Sequence, residues 1–153
     1  MSTLDQQLEQ QGSEHRIVVG IDGSEPSLAA LRWAARQAEL TGSRLEVMVA
    51  WKWPINYGWV AAIPSDYDPA DDAQKTLEGA VSKARIEHPT LDIRPMVVEG
   101  HPAPALVHAS QGAELLVVGS RGHGEFAGML LGSVSEHCVA NAHCPVLVLH
   151  AEG

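Results

Sequence analysis

Five short apolar runs, separated by stretches with a helical repeat, restrict this 153-residue chain more than any other feature. The runs are Arg16 to Ile21, Arg44 to Ala50, Leu91 to Val98, Glu114 to Val118 and Val146 to Leu149. They have strand length and are rich in Val, Ile and Leu, as strands covered on both faces are. Between them, apolar and small residues recur every three or four positions. Leu28, Leu31, Ala35 and Ala38 share one face of a helix that starts near Pro26 and ends at Thr41-Gly42; Ser24 or Glu25 precedes its first turn. Leu77, Ala80, Val81 and Ala84 share a face of a second helix, Asp71 to His88. A short third helix covers Ala103 to Ser110 and a fourth Ser133 to Asn141, where the Ser133–Glu136 spacing suggests a capping box. Such alternation predicts an α/β fold: a single doubly wound five-stranded parallel sheet with helices on both faces. Pro95 has no N–H to give to a ladder, so the third strand belongs at a sheet edge.

The chain's polar chemistry collects at two strand ends. After strand one come Asp22, Gly23 and Ser24. After strand four, glycines at 119, 122, 124, 128 and 132 lie between the strand and the last helix. Glycine permits close backbone approach, and a helix N-terminus presents N–H groups and the positive end of a dipole. Together these make a phosphate cradle, with a glycine-rich surface loop before a capped helix as the plainer alternative. Ligands in open α/β sheets bind beyond the carboxyl ends of the strands, where the strand order reverses. If both strand ends serve one ligand, strands one and four are neighbours and the order is 3-2-1-4-5. The order 2-1-3-4-5 would separate them. Asp22 has two readings, a carboxylate for a divalent cation or nucleotide polar groups, and a turn residue capping the first helix.

Composition narrows the function classes. With 45% hydrophobic residues the chain supports one globular core, and a net charge of −9 disfavours nucleic acid and anionic membranes. No apolar run has the length of a membrane span. The first residues lack the basic start and apolar centre of a signal peptide, so a cytoplasmic location is expected, with Cys138 and Cys144 reduced. Residues 1–14 read as a flexible tail and 15–150 as one domain. The connection from Trp51 to Pro69 is long for a loop and carries Trp51, Trp53, Tyr57 and Trp59, suited to stacking, covering a pocket or meeting a partner.

Other motifs fail on spacing. Gly122, Gly124 and Ala127 fit a dinucleotide fingerprint, but the helix begins only near Ser133 and no acidic strand end follows at the required distance. Gly132 is followed by serine and valine instead of the P-loop lysine. Ser120 has Gly119 directly before it, which is wrong for a hydrolase elbow. His137-Cys138 and His143-Cys144 are adjacent pairs, and helical neighbours diverge by about 100°, so neither pair chelates one ion well.

The spacing Gly119, two residues, Gly122, nine residues, Gly132-Ser133 resembles the nucleotide-binding motif of the universal stress protein family. The flanks, Leu131 to Ser135, Cys144 to Val148 and Val18 to Ser24, resemble it too, and the likeness runs from about His15 to His150. It implies an adenine nucleotide alpha hydrolase-like fold with strand order 3-2-1-4-5. It implies ATP binding, with Mg2+, in the subclass that keeps the motif. Gly20, Ile21, Asp22, Gly23 and Ser24 then line one side, with Asp22 as the possible metal contact. The backbone around Val49 and Ala50, at the end of strand two, meets the adenine. Gly119, Ser120, Gly122 and Gly124 form the loop, while Gly132, Ser133, Val134 and Ser135 meet the phosphates. Arg121 and His123 either face solvent or add charge. The family's role is a nucleotide-dependent stress-response regulator or switch, read by an unidentified protein partner. The rivals are a slow ATPase or phosphotransferase, for which no activating lysine is obvious in the sequence, and a cyclic AMP-binding protein on the same scaffold. The apolar last strand would be an aggregation-prone edge if bare. The resemblance implies a homodimer through Val146 to Leu149; the alternative is that the N-terminal tail covers that edge.

Overall fold

The computed structural model describes residues 15–52, 68–120 and 131–150. Nine elements follow in order: β1 (Arg16–Gly20), α1 (Glu25–Thr41), β2 (Arg44–Trp51), α2 (Pro69–Glu87), β3 (Ile93–Glu99), α3 (Pro102–Ala109), β4 (Leu115–Gly119), α4 (Ser133–Asn141) and β5 (Val146–Leu149). The strands form one sheet in the order β3-β2-β1-β4-β5, all pairs parallel. The order 2-1-3-4-5 is excluded, and β3, with Pro95, lies at an edge as expected.

Side chains of a strand alternate between faces, and here the alternation divides the core in two. Ile17, Val19, Leu45, Val47, Val49 and Val117 pack on one face under α1 and α2, against Ala30, Leu31, Ala34, Leu77 and Val81. Val18, Met48, Leu116 and Val118 pack on the other face with Leu106 and Ala109 of α3 and Cys138 of α4. Each fully buried Val or Leu contributes about 1.5–3 kcal/mol of transfer free energy, so both faces hold their helices firmly. Burial pushes the Cys138 thiol up to about 11, which leaves it a small core residue instead of a thiolate.

Several local expectations shift. Leu28 is half-buried and Ser27 takes the inward place, because its hydroxyl donates to Ser24 C=O at 2.9 Å and closes the turn. Ser24 is the N-cap of α1, and Gly42 closes the helix by donating to Ala38 C=O. β3 begins at Ile93 and not Leu91, since Leu91 N–H is spent in a turn on His88 C=O. The Ser133–Glu136 capping box does not form. Gly132 is the N-cap and Ser133 the first helical residue, with Glu136 N–H donating to Gly132 C=O at 2.9 Å. The spacing was matched one residue out of frame. The tail at 1–14, Trp53, Tyr57, Trp59 and the loop residues Arg121, Gly122, His123 and Gly124 lie outside the described residues. Among the described residues no helix is long and apolar enough to cross a membrane, and no three His, Cys, Asp or Glu side chains are placed to hold a metal ion.

Candidate functional site

At the carboxyl end of the sheet, β1 and β4 part company: β1 leads to α1 on one face and β4 leads towards α4 on the other. The gap between the two departures is a cleft of about 350 Å³, within the usual range for small-molecule sites. Its floor comes from the strand ends, Gly20 and Ile21 of β1, Met48 and Ala50 of β2, Val118 and Gly119 of β4. Its walls are the beginnings of three helices: Asp22 and Ser27 before and within α1, His101, Pro102 and Leu106 at α3, and Gly132 to Ser135 at α4. Three dipoles therefore direct their positive ends towards one space in a chain of net charge −9.

Each wall is built by local chemistry. Asp22 Oδ1 accepts from Ser24 N–H at 2.9 Å and from Ser24 Oγ at 2.5 Å, while Asp22 N–H donates to Ser27 Oγ at 3.2 Å. The cap of α1 is Ser24 and not Asp22; Asp22 instead holds the turn that precedes the cap, and it lines the cleft. The α4 wall is anchored across the loop. Gly132 N–H donates to Ser120 C=O at 2.6 Å, and the Ser135 hydroxyl lies 3.0 Å from both Ser120 C=O and Gly132 C=O. Ser135, buried to 2% exposure, thus ties the two loop ends together.

The glycines beside the cleft answer to packing. A Cβ on Gly119 would stand 3.0 Å from the Pro26 carbonyl carbon, and one on Gly20 would stand 2.8 Å from Leu106 Cδ1. Gly119 keeps the end of β4 tight against the first turn of α1, and it also lines the cleft.

Of the residues expected at the site, Gly20, Ile21, Asp22, Ala50, Gly119, Gly132, Ser133, Val134 and Ser135 line the cleft. Four others do not. The Val49 side chain points into the core under α1 and α2, which leaves only its backbone towards the strand end; Gly23 and Ser24 belong to the turn behind Asp22, and Ser120 is buried beneath the α4 anchor. Two charged or titratable side chains were missed. Lys52, just beyond β2, and His101, just before α3, both line the cleft, with Lys52 Nζ 3.3 Å from His101 Nδ1. Among the described lining residues Asp22 is the single carboxylate and Lys52 the single ammonium. The signal for both was available: each follows the carboxyl end of a strand, where the ligand rule applies to every strand and not only to those followed by glycines.

Fold and cleft together define a doubly wound parallel α/β domain with a cleft at its switch point. The chain belongs to the universal stress protein family, whose model matches residues 14–150. A universal stress protein of Mycobacterium tuberculosis is 39% identical over 146 residues, covering 89% of this chain and 48% of the relative. One from Mycolicibacterium smegmatis is 32% identical over 148 residues, 94% of this chain and 50% of the relative. The chain thus spans about half the length of the curated relatives it matches. Among solved structures, a universal stress protein in complex with cAMP is 31% identical with a TM-score of 0.68, covering 90% of this chain and 98% of that one. The universal stress protein from Archaeoglobus fulgidus in complex with dAMP is 26% identical with a TM-score of 0.60, covering 88% and 97%.

Proposed function

We propose that the cleft binds an adenine nucleotide, ATP with Mg2+, and that the bound state is a cytoplasmic stress-response switch recognised by an unidentified protein partner. The observation that carries this reading is the convergence of Asp22, the β1 and β4 ends and the first turn of α4 on one cleft of about 350 Å³. The leading N–H groups of α4 suit phosphate oxygens. Asp22 suits a divalent cation, a hard ion that takes carboxylate oxygen and would offset phosphate charge. The base then lies towards Ala50 at the end of β2. Complexes of relatives with cAMP and dAMP support an adenine ligand of this size.

The proposed oligomer is a homodimer through β5. That strand is at the sheet edge and its four residues, Val146 to Leu149, are each only half-buried in the single chain. Pairing with a second copy would cover them and remove the open edge. Light scattering of the purified chain at 10–100 µM (about the range where such pairs form) should give twice the chain mass, and a Val148→Lys variant should give the chain mass.

The test of the ligand is denaturation of purified protein with chromatography of the released nucleotide, beside calorimetric titration with ATP–Mg2+, AMP and cyclic AMP. Wild type should bind ATP. Gly122→Val should abolish binding, and Asp22→Ala should weaken it about tenfold, the loss expected for one charge-assisted contact. Absence of any nucleotide binding by wild type rejects the proposal. Cyclic AMP is the second reading, favoured by the complex of the 31% identical relative; competition by cyclic AMP below the concentration needed for ATP would replace ATP with it.

A further inference from the structure

Lys52 and His101 are 49 positions apart in sequence and come from different strands' ends, yet their side chains meet over the cleft at 3.3 Å. The meeting is built by the backbone. Trp51 C=O accepts from Gly100 N–H at 2.7 Å, joining the ends of β2 and β3, and Gly100 turns the chain with a φ of +124° that a side chain would resist. The turn delivers His101 to the N-cap position of α3. That position favours Ser, Thr, Asp or Asn, and His101 makes no side-chain cap bond there. Its ring is directed to Lys52 instead.

Proton bookkeeping defines what the pair can do. A lysine ammonium has three donors and no acceptor, so His101 Nδ1 accepts the bond and the neutral ring carries its proton on Nε2. Lys52 retains further N–H donors, and His101 offers Nε2–H. The pair presents donors only. Sheet order places it on the β2 side of Asp22, while the α4 turn lies on the β4 side. The two sides are about 10 Å apart, two strand spacings, which is the reach from a nucleoside's phosphate to the far edge of its base. With phosphate at the α4 turn, the base's edge faces the pair.

We infer that Lys52 and His101 are specificity-determining residues that donate to a ring nitrogen of the purine. This rests on the nucleotide reading above. A donor-only face suits the ring-nitrogen acceptors of adenine, N1 or N7. Selection of base orientation then comes from these two side chains, while the phosphates are held elsewhere.

The experiment is titration of wild type and of the double variant Lys52→Met/His101→Phe with ATP, 7-deaza-ATP and 1-deaza-ATP, each with Mg2+. Both substituted positions are exposed, so the fold should persist, and circular dichroism checks it. In wild type one of the two deaza analogues should bind about tenfold more weakly than ATP, the value of a charge-assisted bond. In the double variant that penalty should fall below about twofold. Equal binding of all three nucleotides by wild type overturns the inference and leaves the nucleotide reading standing, as does a deaza penalty that survives in the double variant. Failure of wild type to bind ATP rejects both.

Discussion

The two ends of the sheet are made of the same strands and treated in opposite ways. At the amino end, charged side chains are paired with one another. Arg16 Nη1 donates to Glu46 Oε2 at 3.0 Å and to Ala109 C=O at 2.7 Å, and its other nitrogen reaches Gln111 C=O. Arg44 bonds the second oxygen of Glu46 at 3.3 Å. His15 meets Glu114, and His88 meets Glu39. At the carboxyl end, the elements open into a cleft walled by helix beginnings, one carboxylate and one donor pair. One end uses its polar groups to close the structure, and the other arranges them around a space. Stability and recognition can therefore be altered separately, and substitutions at each end test that separation.

The largest effect is expected at the amino end. Arg16 and Glu46 have side chains only 16% and 11% exposed, so Arg16→Met leaves a carboxylate in poorly hydrated surroundings. Breaking a buried pair costs about 3–5 kcal/mol; with Arg44 still on Glu46, the lower figure of about 3 kcal/mol applies. Urea denaturation measures it. If the ends are independent, ATP affinity of the folded variant stays within about twofold of wild type (under 0.5 kcal/mol, the additivity of distant sites). A larger loss would show that the ends are coupled through β1.

Gly119→Ala sharpens the comparison from the other side. Its Cβ would lie 3.0–3.2 Å from Pro26 carbonyl carbon, oxygen and Cβ, two of them backbone atoms that cannot swing aside. Overpacking of this kind costs about 1–3 kcal/mol. The displaced first turn of α1 carries Ser27, which bonds Asp22 N–H, so this substitution should lower both stability and nucleotide affinity. A variant destabilised yet binding normally would mean that the Asp22 turn is not held by α1.

How much of this was legible depended on whether neighbours in space were neighbours in sequence. The alternation of strand and helix periods is local, and with Pro95 it gave the sheet and its β3 edge. The Asp22 turn and the α4 turn are local as well, each a short polar stretch after a strand. The Lys52–His101 pair is not: it exists only because β2 pairs with β3 in register, Trp51 beside Glu99, and because Gly100 redirects the chain. The side chains of Ser120 and Val49 stay out of the cleft for a related reason. Sequence places them at strand ends, but the anchor from Ser135 and the alternation of β2 turn them inward. Gly119 was recognisable as a glycine that mattered, while its cause, the backbone of Pro26, lies 93 residues earlier in the chain.

The smallest expected effect concerns acid. The Ser43 hydroxyl, at 2.8 Å, and after it His15 hold the Glu114 carboxyl below its ordinary value, against the opposing pull of burial. A depressed carboxyl contributes stability that is present in full above its unfolded pKa and is lost as pH falls through the lower folded value. Glu114→Gln removes that contribution. The difference in melting temperature between wild type and variant should therefore be constant from neutral pH down to the ordinary carboxylate range, then shrink as acid protonates Glu114 in wild type. The side chain is 37% exposed, so solvent screening keeps the difference small. Because the network sits at the amino end, ATP affinity measured at neutral pH should not change in the variant. A melting difference that persisted undiminished in strong acid would assign the role of Glu114 to shape rather than charge, and the amino end would then be closed by packing more than by its ion pairs.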